Sequence, residues 1–204
     1  MRINNKPEGL KKQSFIEIAR RAQIVECAID VIADLGYARA SLDQIARRAG
    51  ISKGVISYHF KGKDELIQEI IKAEYESGYT FITSRLSTES SVAGILRVYI
   101  ESDLEFMRLN PRHVMAMVDI YLNDRNAAGK LRSDNETDLL NLEKILSSGQ
   151  QNGEFREFPT RPMALAIRAA IDAVPLKMRA YPSLDIAVYA RELTVIFDLA
   201  TRKN

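Results

Sequence analysis

No apolar run in this chain approaches the roughly 20 residues needed to span a bilayer. Its first residues, MRINNKPEGLKKQS, lack the apolar stretch of a secretory leader. A single cysteine, Cys27, cannot close an internal disulfide, which fits a reducing cytoplasm. The two histidines, His59 and His113, have no cysteine or carboxylate at metal-ligand spacing, so neither a metal site nor a cofactor is expected. There is no activated nucleophile, no phosphate-cradling glycine loop and no convincing acid–base pair, and those absences argue against an enzyme. What is present is a composition 46% hydrophobic over 204 residues, enough for one large or two small domains with a real core.

The net charge of +2 hides an asymmetry. Residues 1–63 hold 12 Lys and Arg against 6 Asp and Glu, a net of +6, so the remainder carries −4. A basic end on a mildly acidic body suits a protein that holds nucleic acid at one end.

Residues 41–60 read SLDQIARRAGISKGVISYHF. Ser41 caps a helix starting at Leu42, and Gln44, three residues on, completes a capping box. Leu42, Ile45, Ala46 and Ala49 make one apolar face, with Asp43, Arg47 and Arg48 opposite. Gly50 ends the helix, Ile51 plugs the turn, and Ser52 caps a second helix. That helix turns Ser52, Lys53, Ser57, Tyr58 and His59 outward, groups that donate to phosphates and base edges, as a major-groove reader requires. Gly54 inside so short a helix costs about 1 kcal/mol of propensity, and close approach to another helix or to DNA is the expected compensation.

At these residues the chain resembles the N-terminal domain of TetR-family transcriptional regulators. The likeness runs from about Arg20 to Leu66. It includes Ile24, Ala28 and Ile32, then Gly36-Tyr37, Ser41, Ile45, Ala46, Ala49-Gly50-Ile51-Ser52-Lys53-Gly54, Phe60, Lys63 and Leu66. Two positions depart from the family's habit: Ser57 stands where an aromatic is common, with Tyr58 following, and Gly62 stands where a Ser or Thr cap is common. The resemblance implies an all-α fold. A flexible basic arm (residues 1–14) precedes a three-helix helix-turn-helix DNA-binding domain (15–62), and a helical effector-binding and dimerisation domain (63–204) follows. It also implies that Tyr37, Ser41, Arg47 and Lys63 position the DNA backbone, while Ser52, Lys53, Gly54, Ser57, Tyr58 and His59 approach the groove.

Periodicity predicts further helices over about 15–35, 63–85, 91–109, 112–122, 131–148, 161–181 and 184–201. The polar stretches NDRNAAGK and SGQQNGEFREFPT read as loops. Cys27 on the first helix reads as an inert thiol. The last helix carries Ile186, Tyr189, Ala190, Leu193, Ile196, Phe197 and Ala200 on one face, with Val188, Val195 and Leu199 away from it. Two apolar faces suggest burial against the body and against a second subunit. The preceding helix, rich in alanine (Ala164, Ala166, Ala169, Ala170, Ala173), permits close helix contact. Family resemblance implies that this pair builds a homodimer.

The resemblance also implies a cavity in the body for a small-molecule effector. Polar and aromatic residues on otherwise apolar faces there are Tyr75, Tyr79, Tyr99, Asp103, Phe106, Met107, His113, Met117, Asp119 and Tyr121. Such a lining suits an adaptable apolar pocket, and a carboxylate such as Asp103 would favour a cationic ligand. The expected function is a homodimeric regulator, a repressor released from a palindromic double-stranded operator by its effector. The alternatives are a helical interaction protein that keeps the head only as a scaffold, and a small all-helical enzyme.

Overall fold

A computed structural model describes residues 14–203; residues 1–13 of the expected basic arm lie outside the described residues. Among the described residues there are ten α-helices, and extended pairing is limited to one isolated bridge, Phe155 to Arg202.

Local chemistry sets the first three helices where the sequence places them. Helix α1 (Phe15–Leu35) starts at a reciprocal capping box between Ser14 and Glu17. Helix α2 (Leu42–Ala49) starts at a second box, in which the Gln44 amide N–H donates to Ser41 Oγ (3.3 Å) and the Ser41 N–H donates to Gln44 Oε1 (2.9 Å). Gly50 closes α2 at φ 65, a left-handed conformation that favours glycine. Helix α3 (Lys53–His59) follows, with the Val55 N–H donating to Ser52 Oγ.

Helix α4 (Lys63–Leu86) is 24 residues long, so it reaches about 36 Å at 1.5 Å per residue. Its first half buries Leu66, Ile67, Ile70 and Ile71 in the head. Helices α5 (Val92–Leu109), α6 (Pro111–Asn123) and α7 (Arg125–Gln151) follow, then α8 (Thr160–Asp172), α9 (Val174–Ala180) and α10 (Ile186–Thr201).

One loop and one helix differ from the sequence expectation. NDRNAAGK is not a loop: Asp124 alone separates α6 from α7, because its carboxylate caps the new helix by accepting from Asn126 N (2.8 Å) and Ala127 N (3.2 Å). Conversely, the single helix expected over 161–181 is two. Pro175 has no N–H to give Ile171 and its ring crowds that carbonyl, so the helix breaks at Ala173.

The core has two parts. One joins α1–α3 to the first half of α4 and also takes Ala116, Ile120 and Ala127 from α6 and α7. The other joins α5, α7, α8, α9 and α10. Gly149 lets the second part close: a Cβ there would lie 2.1 Å from Cδ2 of Phe155, whose ring is 3% exposed. Gly149→Ala is therefore expected to cost about 1–3 kcal/mol by overpacking, read as a lowered denaturant midpoint at unchanged m-value.

Candidate functional site

Helix α3 buries Ile56, and Phe60 seals its C-terminal end. Arg21 on α1 holds that end in place: its guanidinium donates to the His59 carbonyl and to Glu69 Oε2 (2.8 Å) and stacks 4.2 Å over the Phe60 ring. The unpaired last-turn carbonyl is thereby satisfied. Sequence reasoning did not single out Arg21, although a basic residue on the helix preceding the motif was its only trace.

The outward face of α3 carries Lys53, Gly54, Ser57 and Tyr58, all exposed, with Tyr58 76% exposed and its ring edge-on to His59 at 5.0 Å. Ser41, Arg47 and Ser52 are exposed beside them. Lys53 Nζ pairs with Asp43 Oδ2 at 2.8 Å, an exposed contact worth at most about 1 kcal/mol and easily exchanged for another anion. Among the described residues nothing approaches Gly54 closely: a Cβ there would meet only Ser52 Oγ, at 3.6 Å. Of the two compensations expected for this glycine, packing against one of the described helices is not seen.

Tyr37 and Lys63 sit differently. Lys63 Nζ lies 4.0 Å over the Tyr37 ring and donates to the Tyr37 carbonyl, and burial lowers its pKa. The Tyr37 hydroxyl donates to Asp124 Oδ2 (2.9 Å), and its backbone N–H donates to Asp119. Burial first, and Asp124 second, push the Tyr37 phenol up to about 12. Tyr37, expected at a phosphate, thus fastens the head to the α6–α7 junction, and Lys63, expected at another, holds Tyr37 from α4. Beside them Arg112 pairs with Asp30 (2.8 Å) and Asp34 (2.9 Å), and Arg48 joins the same two carboxylates. Arg179 on α9 reaches Asp119 at 3.3 Å. Cys27 is half-buried with its pKa raised by burial, the state of an inert thiol.

Where the two core parts separate, a cavity of about 690 Å3 opens between α4, α5, α6, α7 and the α8–α9 break. Tyr75, Tyr79, Tyr99, Asp103, Phe106, Met107, Met117 and Tyr121 all stand on its wall. His113 does not, and neither does Asp119. His113 instead bonds Glu74 on α4 through Nδ1 and lies 3.3 Å from Glu26 of α1 through Nε2, so it is a tie between three helices. It was expected on the cavity wall as a polar group on an otherwise apolar face, and the partners waiting on α4 and α1 were not visible in sequence.

Four charged wall residues went unrecognised: Glu74, Asp138, Arg168 and Asp172. Arg168 Nη1 donates to Tyr99 Oη (2.8 Å) and Asp103 Oδ2 (2.6 Å), and Nη2 pairs with Asp172. Burial disfavours its charge, yet these acceptors carry its pKa well above the ordinary value. Burial raises the Asp138 and Asp172 carboxyls. The signal for Arg168 was a lone charge within the apolar run ALAIRAAI.

Helices α8 and α10 present Leu165, Val188, Val195, Ile196 and Leu199, each between 42% and 54% exposed. Ile196 was expected on one face with Leu193 and Phe197; Leu193 and Phe197 are buried together, whereas Ile196 points away and Thr194 is buried in addition.

Residues 24–70 match the family model described as bacterial regulatory proteins, tetR family. The chain is 33% identical over 93 residues to the transcriptional regulator BetI of Pectobacterium carotovorum, covering 45% of this chain and 48% of that one. The chain thus spans about half the length of the curated relatives it matches. The fold is that of the Bacillus subtilis regulator FadR solved with stearoyl-CoA (TM-score 0.74, 20% identity, 86% of this chain and 96% of that). It is also that of a Saccharomonospora viridis regulator solved with choline (TM-score 0.76, 17% identity, 92% and 100%).

The tie through His113 has a pH signature. The Glu74 hydrogen bond raises the His113 pKa above its ordinary 6.5. A raised folded-state pKa gives stability that is complete below 6.5 and lost as pH rises through the raised value. The thermal midpoint should fall on going from pH 6.5 upward, and His113→Gln should flatten that slope in a scanning-calorimetry series.

Proposed function

Because this chain belongs to the TetR family of bacterial regulatory proteins, we propose that it is a homodimeric, sequence-specific repressor acting in the cytoplasm and released from a palindromic operator by a small effector. The observation that carries this reading is α3: an exposed helix, anchored from behind by Arg21 and Phe60, that offers Lys53, Ser57, Tyr58 and His59 to a groove. Its head spans residues 15–62 and its body 63–204.

In this reading Lys53 and His59 make polar groove contacts, with Ser57 and Tyr58 at bases or phosphates. Ser41, Arg47, Tyr37, Lys63 and the N-terminal end of α3 at Ser52 hold the backbone. Gly54 admits a phosphate or base edge where a side chain would stand. The exposed faces of α8 and α10 suit a second copy, since Leu165, Val195, Ile196 and Leu199 are each about half exposed, apolar surface that an isolated subunit would leave in water. Two heads would then reach half-sites about one helical turn, about 34 Å, apart or slightly more. The cavity is the effector site. Its neighbours in fold were solved with stearoyl-CoA and with choline, so the fold alone does not choose the ligand.

Selection from a random duplex pool at physiological salt tests the reading: a palindrome should be enriched, whereas uniform binding that vanishes with salt would leave the head a mere scaffold. On the selected site, Lys53→Ala with Tyr58→Ala should abolish specific binding, each base contact being worth about 1–3 kcal/mol, while the dimer and its melting temperature stay nearly unchanged. Gly54→Ala should hold or raise stability, by up to about 1 kcal/mol, yet weaken DNA binding. If the dimer uses α10, Val195→Glu with Leu199→Glu should give a monomer of unchanged helicity in analytical ultracentrifugation; a persistent dimer would place the interface elsewhere.

A further inference from the structure

The charges on the cavity wall are unequal. Among the described residues, Glu74, Asp103, Asp138 and Asp172 on the wall face one cation, Arg168. Glu74 is answered from behind by His113. Arg168 is shared between Asp103 and Asp172, so it neutralises only one of them. Asp138 has no cation within ion-pair distance among the described residues; the Tyr75 hydroxyl, at 3.3 Å, is its recorded hydrogen bond. Two negative charges therefore remain in excess around an otherwise aromatic and aliphatic chamber. Burial works against both of these carboxylates, raising Asp138 and Asp172 toward the protonated form. A bound positive charge relieves that pressure, and a bound negative charge compounds it.

The apolar part of the wall fits the same partner. The Tyr75 and Tyr79 rings stack at 6.4 Å, and both face the cavity beside Asp138 and Phe106. Ring faces attract cations through their quadrupoles, and do so also at partly exposed rings such as Tyr75 (37%) and Tyr79 (54%). An anionic head group would have to compete with Asp103 and Asp172 for Arg168, whose Nη atoms already donate to Tyr99, Asp103 and Asp172. At about 690 Å3, the chamber falls in the range that encloses a drug-sized molecule.

Resting on the reading of this cavity as the effector site, we propose that it takes a lipophilic organic cation, an ammonium or amidinium group on an apolar body, with Asp138 as its counter-ion. The tyrosine rings enclose the charge, and Met107, Met117 and Phe106 receive the apolar body.

Isothermal titration of the full-length protein, without DNA, with three probes on one biphenyl body tests this: biphenylmethyl-trimethylammonium, biphenylacetate and biphenylmethanol. The ammonium should bind at least about tenfold tighter than the carboxylate, a ratio in keeping with a cation–π contact plus a partly buried counter-ion. Asp138→Asn should cut ammonium affinity about tenfold and leave the alcohol within about twofold, because only the charge contact is lost. Retained alcohol binding reports that the variant is folded, and the wild-type ammonium-to-carboxylate ratio needs no variant at all. Tighter binding of the carboxylate, equal loss of all three probes in Asp138→Asn, or binding of none overturns the proposal. Each of these leaves the DNA-reading assignment standing, since that is decided by duplex selection alone.

Discussion

The head of this protein cannot close its core by itself. Helix α1 lies along α6, and Ala116, Ile120 and Ala127 of the body complete the apolar cluster built from Ile24, Ala28, Ile45, Ile56 and Phe60. The first half of α4 is in that same cluster, and its second half is a wall of the cavity. Any change in the angle between α4 and α6 must therefore be passed to α1 and to the helix-turn-helix it supports. This is the physical basis on which a ligand between α4 and α6 can act on DNA, provided that it prefers the arrangement that fits DNA less well.

Polar contacts follow the same seam. Arg112 and Arg48 converge on Asp30 and Asp34, His113 lies between Glu74 and Glu26, and Asp119 and Asp124 hold Tyr37. Exposed pairs of this kind contribute little individually. Their value is geometric, because planar guanidinium forks and capped backbone groups fix direction better than apolar contact does. Of the head's acidic residues, Glu26, Asp30 and Asp34 pair on the side facing the body, while Asp43 pairs with Lys53 on the exposed side that also carries Arg47 and Tyr58. The body spends its own acids on the cavity. One chain thus separates an anion-seeking end from a cation-seeking interior.

The head was legible in sequence because its signals are local. The Ser41–Gln44 capping box, the helix-ending glycines at 36 and 50 and an apolar spacing of three and four specify α1 to α3 nearly to the residue. The body was legible as helices and as a wall of aromatic and sulfur-containing side chains. Its failures came where a polar residue had a distant partner. Asp124 read as loop because a polar run looks alike whether it caps a helix or leaves one. His113 read as a cavity residue because Glu74 and Glu26 lie 39 and 87 positions away. Arg168 and Asp138 went unnoticed because nothing local says that their helices face each other across a void. Pro175 was the exception: its break was readable and was passed over in favour of the alanine pattern around it.

Native-state hydrogen exchange across α1, α3 and α6 tests the shared core most directly. If the head depends on the body for closure, the buried amides of α1 and α6 should open with the same free energy and the same denaturant dependence, as one cooperative unit. Opening of α1 and α3 at a distinctly lower free energy, with α6 still protected, would show a self-sufficient head, and the mechanical route from cavity to DNA would have to be abandoned.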